Sequence, residues 1–217
     1  MIGLAGALSI EAFNLHVENL EIKEKQLLEA RELVLKAKEF DPGNPRIYQT
    51  LSEYALLHGD PTEGIRLAEA ALTLDPKNPD RYTNLSNAYA FVLEDRKAID
   101  LLTQAIRLDP KNVDEDVLFN MGLAHFRLGN DAAAIDWLRK AADSNPNSPH
   151  PLATLAMAYS RSGDQSRARA AVAALLRVDP KFRMSAIQAQ ITGLPAIYQK
   201  YWETTLLPVG RQAGLPE

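Results

Sequence analysis

Apolar residues recur along the chain at the spacing of a helix face, and the runs they form are cut at regular intervals. Asp41-Pro42, Asp75-Pro76, Asp109-Pro110, Asn145-Pro146 and Asp179-Pro180 each follow such a run, and the prolines succeed one another at 34, 34, 36 and 34 residues. The runs also end alike, in Ala70-Ala71-Leu72-Thr73-Leu74, Gln104-Ala105-Ile106-Arg107-Leu108 and Lys140-Ala141-Ala142-Asp143-Ser144. Proline lacks a backbone N–H and disfavours helix in the residue before it, so each pair marks a helix stop. A second break falls midway through most units, at His58-Gly59-Asp60-Pro61, Leu128-Gly129-Asn130-Asp131 and Ser162-Gly163-Asp164. Glycine there can take the left-handed conformation that ends a helix, and the Asn or Asp after it can cap the next one. Each unit is therefore predicted to be a helix, a tight turn and a second helix. The third unit has Leu93-Glu94-Asp95-Arg96 in place of glycine and predicts a slightly different turn.

The residues within the units fall into register. The third supplies Tyr82, Leu85, Ser86 and Tyr89 on its first helix, then Ala98, Leu102, Ala105 and Pro110. The fourth has Leu118, Met121, Gly122 and His125, then Ala134, Leu138, Ala141 and Pro146; the fifth has Leu152, Leu155, Ala156 and Tyr159, then Ala168, Val172, Leu175 and Pro180. The second is looser, with Tyr48, Leu51, Ser52 and Ala55, then Gly64, Ala68, Ala71 and Pro76, and in the first only Ala30, Val34, Ala37 and Pro42 conform. This pattern resembles the 34-residue tetratricopeptide repeat (TPR), over roughly residues 5 to 180. The resemblance implies an all-α, right-handed superhelical solenoid of about five helix-turn-helix repeats. Residues 1–182 would form the array and 183–217 the capping helices and tail.

The small residues have a packing purpose. Ser52, Ser86, Gly122 and Ala156 stand where each first helix must approach its partner, opposite Ala98, Ala134 and Ala168 in the units that have them. Tyr48, Tyr82, Tyr89 and Tyr159 recur at helical register and are read as repeat core. The two extra residues of the fourth unit fall in Lys111–Asp116, a solvated linker whose three acids can also complement the positive end of the following helix.

A solenoid exposes apolar surface at its last repeat unless something covers it. After Pro180 two short helices are predicted, one over Met184–Ile191 and one over Ala196–Trp202, broken at Gly193-Leu194-Pro195 and together acting as a cap. The ending Gly210–Glu217 is less regular and either folds back or is mobile. Tyr198, Tyr201 and Trp202 either close the core or form a homodimer surface. Phe126–Gly129, Ala153–Tyr159 and Ala213–Glu217 resemble the C-terminal repeat regions of some bacterial class III adenylate or guanylate cyclases and related regulators. That resemblance implies an accessory segment of a larger bacterial signalling protein, with no cyclase domain in this chain.

Composition narrows the chemistry. There are 24 Lys and Arg against 28 Asp and Glu, a formal net charge of -4, so no general field favours nucleic acid or an anionic membrane. The absence of cysteine excludes disulfides, thiolate metal ligands and cysteine nucleophiles, and with a reducing compartment in view the expected location is cytoplasmic. The apolar run Met1–Leu8 lacks the basic start of a secretory signal and is too short to span a bilayer. It reads as the start of an ordinary helix, the alternative being a boundary inside a longer protein. His16, His58, His125 and His150 belong to different units and show no metal-ligand spacing; His125 takes the slot of Tyr89 and Tyr159 and is read as a core histidine. No phosphate loop, nucleophile elbow or buried carboxylate pair is present, so no catalysis and no cofactor are expected.

The expected function is that of a scaffold binding a protein or peptide segment along the concave surface lined by the first helices. One class of tetratricopeptide domain grips the C-terminal carboxylate of heat-shock chaperones with two asparagines, two lysines and an arginine. Asn87 and Asn120 match its asparagine places, with Asn84 nearby, but Thr83, His150 and Thr154 stand where its cations would be. Arg127 and Arg161, further along their helices, could partly replace them. The expectation is therefore an internal peptide segment and not a free chaperone carboxylate. The same asparagines could instead tie one repeat to the next.

Overall fold

The computed structural model describes residues 20–190 and 195–217. The apolar run at Met1–Leu8, His16, and Gly193 and Leu194 of the expected break lie outside the described residues. The elements in order are α1 (Leu20–Phe40), α2 (Pro45–Leu57), α3 (Pro61–Leu74), α4 (Pro79–Ala90), α5 (Asp95–Leu108), α6 (Glu115–Arg127), α7 (Asp131–Ser144), α8 (Pro149–Arg161), α9 (Gln165–Val178), α10 (Met184–Gln190), α11 (Ala196–Tyr201), a π-helical turn (Trp202–Leu206) and α12 (Leu207–Ala213). No strand occurs among the described residues.

Helix boundaries follow the local chemistry. Asn44, Asn78, Asp60, Asp114 and Asp164 each accept, through the side chain, a backbone N–H of the helix they precede. At the other end, the N–H groups of Asp75, Asp109, Asn145 and Asp179 still donate to the carbonyls four residues back, at 3.2, 3.2, 3.0 and 2.8 Å. Proline follows each of them, and the helix cannot continue.

The turn inside each repeat from the second to the fifth is closed by a left-handed residue, whereas α1 runs unbroken from Leu20 to Phe40. Gly59, Gly129 and Gly163 have φ of 76°, 79° and 87°. Leu93 has φ of 61° and the same closing hydrogen bond, Glu94 N–H to Tyr89 O at 3.0 Å, beside 2.9 Å for Asp60 N–H to Ala55 O and Asn130 N–H to His125 O. The third turn is therefore the same turn as the others, made by a leucine. A leucine side chain costs about 1–2 kcal/mol in that conformation, so the pattern of the neighbouring repeats overrides the residue's own preference.

The helices pack as pairs, α2 on α3, α4 on α5, α6 on α7 and α8 on α9, and each pair stacks on the next. Ala68, Ala71, Leu102, Ala134, Leu138, Ala141, Ala156, Ala168 and Leu175 are fully buried along this stack. The helices approach closely: a Cβ added to Gly122 would lie 2.6 Å from Leu138 Cγ and 3.1 Å from the Leu138 backbone nitrogen. Ser52 tightens the α2–α3 pair by donating to the Gly64 carbonyl at 2.7 Å. Among the aromatics, Tyr159 is buried, whereas Tyr48 and Tyr82 are half-buried and donate to the carbonyls of Pro42 and Pro76, at 2.9 and 3.0 Å, tying each repeat to the proline before it.

The end of the chain is more regular than its sequence predicts. The second capping helix does not stop at Trp202 but continues through the π-helical turn to Ala213. The last residues fold back: Gly214 turns at φ 85°, Leu215 is buried, and the Pro216 carbonyl accepts the Met184 N–H at 2.9 Å. Met184 also fills the space over Gly210, where an added Cβ would meet its Cε at 2.3 Å.

Candidate peptide-binding groove

The first helices α2, α4, α6 and α8 neighbour one another along one face of the stack. In a solenoid the inner layer forms the concave surface, and here it is lined by unlike stretches. At the α2–α4 end the surface is polar. Gln49 donates to Glu53 at 3.1 Å and accepts from Arg81, whose Nε lies 3.7 Å from Asp75 Oδ2. Arg81 is almost fully buried. Burial raises the Glu53 pKa above the usual carboxylate value, while Gln49 and Arg81 pull it the other way.

The structure brings two of the sequence-predicted residues together. Asn120 on α6 donates through Nδ2 to Asn87 Oδ1 on α4 at 2.9 Å, and both side chains remain half-buried. Each amide therefore keeps donor and acceptor capacity beyond this bond. Asn84, one turn before Asn87, is buried, with 5% of its surface exposed, and its Oδ1 finds no partner among the described residues.

Arg127 and Arg161 are placed differently from the sequence expectation of stand-in cations. Arg127 pairs with Asp95 at 2.7 Å, with side chains 3% and 5% exposed. Arg161 binds Asp131 through Nε at 2.8 Å, also donates to the Phe126 carbonyl, and lies 3.7 Å above the Phe126 ring. Neither is a free cation. Thr83 and Thr154 turn their hydroxyls onto the carbonyls of Pro79 and His150 in their own helices. The His150 ring lies against Phe119, with centroids 6.1 Å apart.

The sequence predicts a cap over the last repeat but not its reach onto α6. The C-terminal helix lies there: Trp202 and Leu206 are buried in one cluster with Phe126, Leu155, Met157 and Tyr159. Tyr198, at its first turn, stands 6.0 Å from Phe91 and 5.9 Å from the Arg127 guanidinium. Tyr201 follows it inward; burial raises its phenol pKa, while Arg127 and Arg161 pull it down. The spacing Tyr198, Tyr201, Trp202 is the signal a sequence offers, and it is equally that of any buried helix face.

Among the described residues no group of His, Asp or Glu is arranged to hold a metal ion, and no helix is long and apolar enough to cross a membrane. Partial burial lowers the His125 pKa, and its Nδ1 has no partner among the described residues.

Comparison with known proteins agrees with this architecture. Solved structures with the same fold include PilW, a type IV pilus biogenesis factor, at a TM-score of 0.70 and 15% identity, covering 97% of this chain and 96% of PilW. TTC0263, a thermophilic TPR protein of Thermus thermophilus, superposes at 0.66 with 19% identity, over 87% of this chain and 98% of its own. YrrB, described as a TPR protein with an unusual peptide-binding site, superposes at 0.58 with 18% identity, over 84% and 93%. No curated protein matches the sequence. The tetratricopeptide repeat family matches residues 12–179, most of the chain and every helix pair described above, and to that family the chain belongs.

Proposed function

We propose that this protein is a non-catalytic interaction scaffold that holds an internal, extended polypeptide segment against α4 and α6. The observation that carries this reading is the Asn87–Asn120 pair on the inner face, half-buried and with amide capacity left over, beside arginines that are already neutralised. Backbone N–H and C=O groups of a bound segment match such amides. A terminal carboxylate needs charge-assisted bonds, and Arg81, Arg127 and Arg161 are each engaged by an aspartate.

The test has two arms. An acidic peptide with a free C-terminus and its amidated twin should bind equally weakly, with no measurable difference by calorimetry; micromolar binding abolished by amidation would overturn the exclusion. Screening an internal-peptide array and repeating the strongest hit on the Asn87→Ala, Asn120→Ala double variant should show at least tenfold weaker binding at unchanged melting temperature. Loss of stability without loss of binding would make the pair an inter-repeat tie only.

A further inference from the structure

We infer that the C-terminal helix is a displaceable occupant of the inner face over α6 and α8, and that the outside partner of this part of the groove is an amphipathic helix with aromatic residues one turn apart. This goes beyond the extended-segment site on α4 and α6 and shares with it only the reading of the inner face as a binding surface.

The helix does more than close the last repeat. Trp202, Leu206, Ala213 and Leu215 are buried in the cluster of Leu155, Met157 and Leu175 and close the last repeat, while Tyr198 and Tyr201 are only partly buried against it. Its first turn overshoots the last repeat by two units: Tyr198 reaches Phe91, which caps α4, and Arg127 at the end of α6. The seated side is a helical stripe of Tyr198, Tyr201, Trp202, Leu206 and Gly210, while Ile197, Lys200, Glu203 and Thr204 face solvent. That is the anchor pattern of a helix laid in a groove, supplied here in cis.

The fit of the helix over Tyr201–Leu206 is poor in ways that can be named. Tyr201 Oη and Trp202 Nε1 are both buried without a partner among the described residues. The two guanidiniums that Tyr201 faces are already committed to Asp95 and Asp131. The helix also breaks its own geometry at Trp202–Leu206, where the turn widens to a π-helix to bring Trp202 and Leu206 onto the core. Two unpaired polar groups and a widened turn within one stretch leave it less tightly held than α8, which is buried along nearly its whole length. A regular helix presenting the same aromatic pair, with its polar groups turned outward, seats on the same surface without those defects.

Hydrogen exchange on the intact protein is the first test. Backbone amides of residues 196–206 should exchange at least tenfold faster than those of α8; equal protection of the two would make the helix a permanent part of the core and overturn the inference. The second test uses a fluorescein-labelled peptide of residues 195–217 as the probe. Against the Tyr198→Ala, Tyr201→Ala variant it should bind at least tenfold tighter than against the unmodified protein, because the built-in competitor has been weakened. Equal binding to both, or no binding to a variant that circular dichroism shows folded, would overturn the inference; if the variant does not fold, the exchange comparison decides alone. If Trp202 and its neighbours stay protected while an extended peptide still binds through Asn87 and Asn120, the groove assignment stands and this one falls.

Discussion

Arg127, the last residue of α6, is bonded through Nε to Asp95, the first residue of α5 in the repeat before, at 2.7 Å. The same relationship recurs one repeat later between Arg161 and Asp131. The equivalent positions at the preceding junction are Pro61 and Phe91, which carry no charge. The charged junctions are thus stapled by a pair that crosses from one repeat to the next, and the uncharged one presents Phe91, the ring that Tyr198 meets.

The buried Asp95–Arg127 pair is expected to be costly to break and cheap to replace. Burial holds the Asp95 pKa above its ordinary value against the pull of Arg127. With a raised folded-state pKa, the stability this group contributes is full below the unfolded value and lost as pH rises through the folded one. At neutral pH the ionised carboxylate is therefore a cost that Arg127 only partly offsets. Asp95→Ala or Arg127→Ala should each destabilise by about 3–5 kcal/mol, while Asp95→Leu with Arg127→Met should be near neutral. Urea unfolding of the two singles and the double measures both.

Leu93→Gly should stabilise the protein. Leu93 occupies the left-handed region at φ 61°, where the other described turns of this kind have glycine. Relief of about 1 kcal/mol corresponds to a rise of about 2–4 °C in Tm for a chain of this size. Thermal unfolding checks it; an unchanged or lowered Tm would mean that the leucine side chain contributes packing that outweighs its backbone cost.

His125 predicts an acid-sensitive term. Its folded-state pKa is depressed below the ordinary 6.5 by burial. The stability it contributes is present above that value and is lost as pH falls through it toward the folded-state pKa, because the unfolded chain takes up the proton first. His125→Tyr, the residue of the corresponding slot at Tyr89 and Tyr159, should remove this dependence. The difference in urea midpoint between the two proteins should widen between about pH 7 and pH 5; a constant difference would refute the assignment.

Gly122→Ala tests the helix crossing. The added methyl group would stand 2.6 Å from Leu138 Cγ and, less forgivingly, 3.1 Å from the α7 backbone at Leu138 N. Overpacking of this kind costs about 1–3 kcal/mol, which outweighs the better helix propensity of alanine. Gly129→Ala meets no atom within 4 Å and is strained only through its φ of 79°, so the two losses have separable causes and should add in the double variant, as chemical denaturation would show.

By itself the sequence determined the features that repeat and act locally. The Asp-Pro and Asn-Pro stops, the Gly-Asp and Gly-Asn turns and the alanine, serine and glycine crossing points all work through the backbone within a few residues. From the second repeat to the fifth, the register placed the helices, their pairing and the alanine core at Ala98, Ala134 and Ala168 correctly, and the family match covers the same stretch. What only the tertiary structure decided lies on the inner face and at the end. Arg127 and Arg161 look like free cations in sequence because Asp95 and Asp131 are 32 and 30 residues away, and only the stacking of one repeat on the next brings them into reach. Asn87 and Asn120 meet for the same reason across 33 residues. Leu93 adopts a turn it would not choose because the helices on either side, α4 and α5, are packed on each other within the array. The C-terminal helix has no repeat to set its register, and the spacing of Tyr198, Tyr201 and Trp202 marks only a buried face, so its extension to Ala213, its π-helical turn and the seating of Tyr198 against Phe91 follow from the shape of the surface it covers.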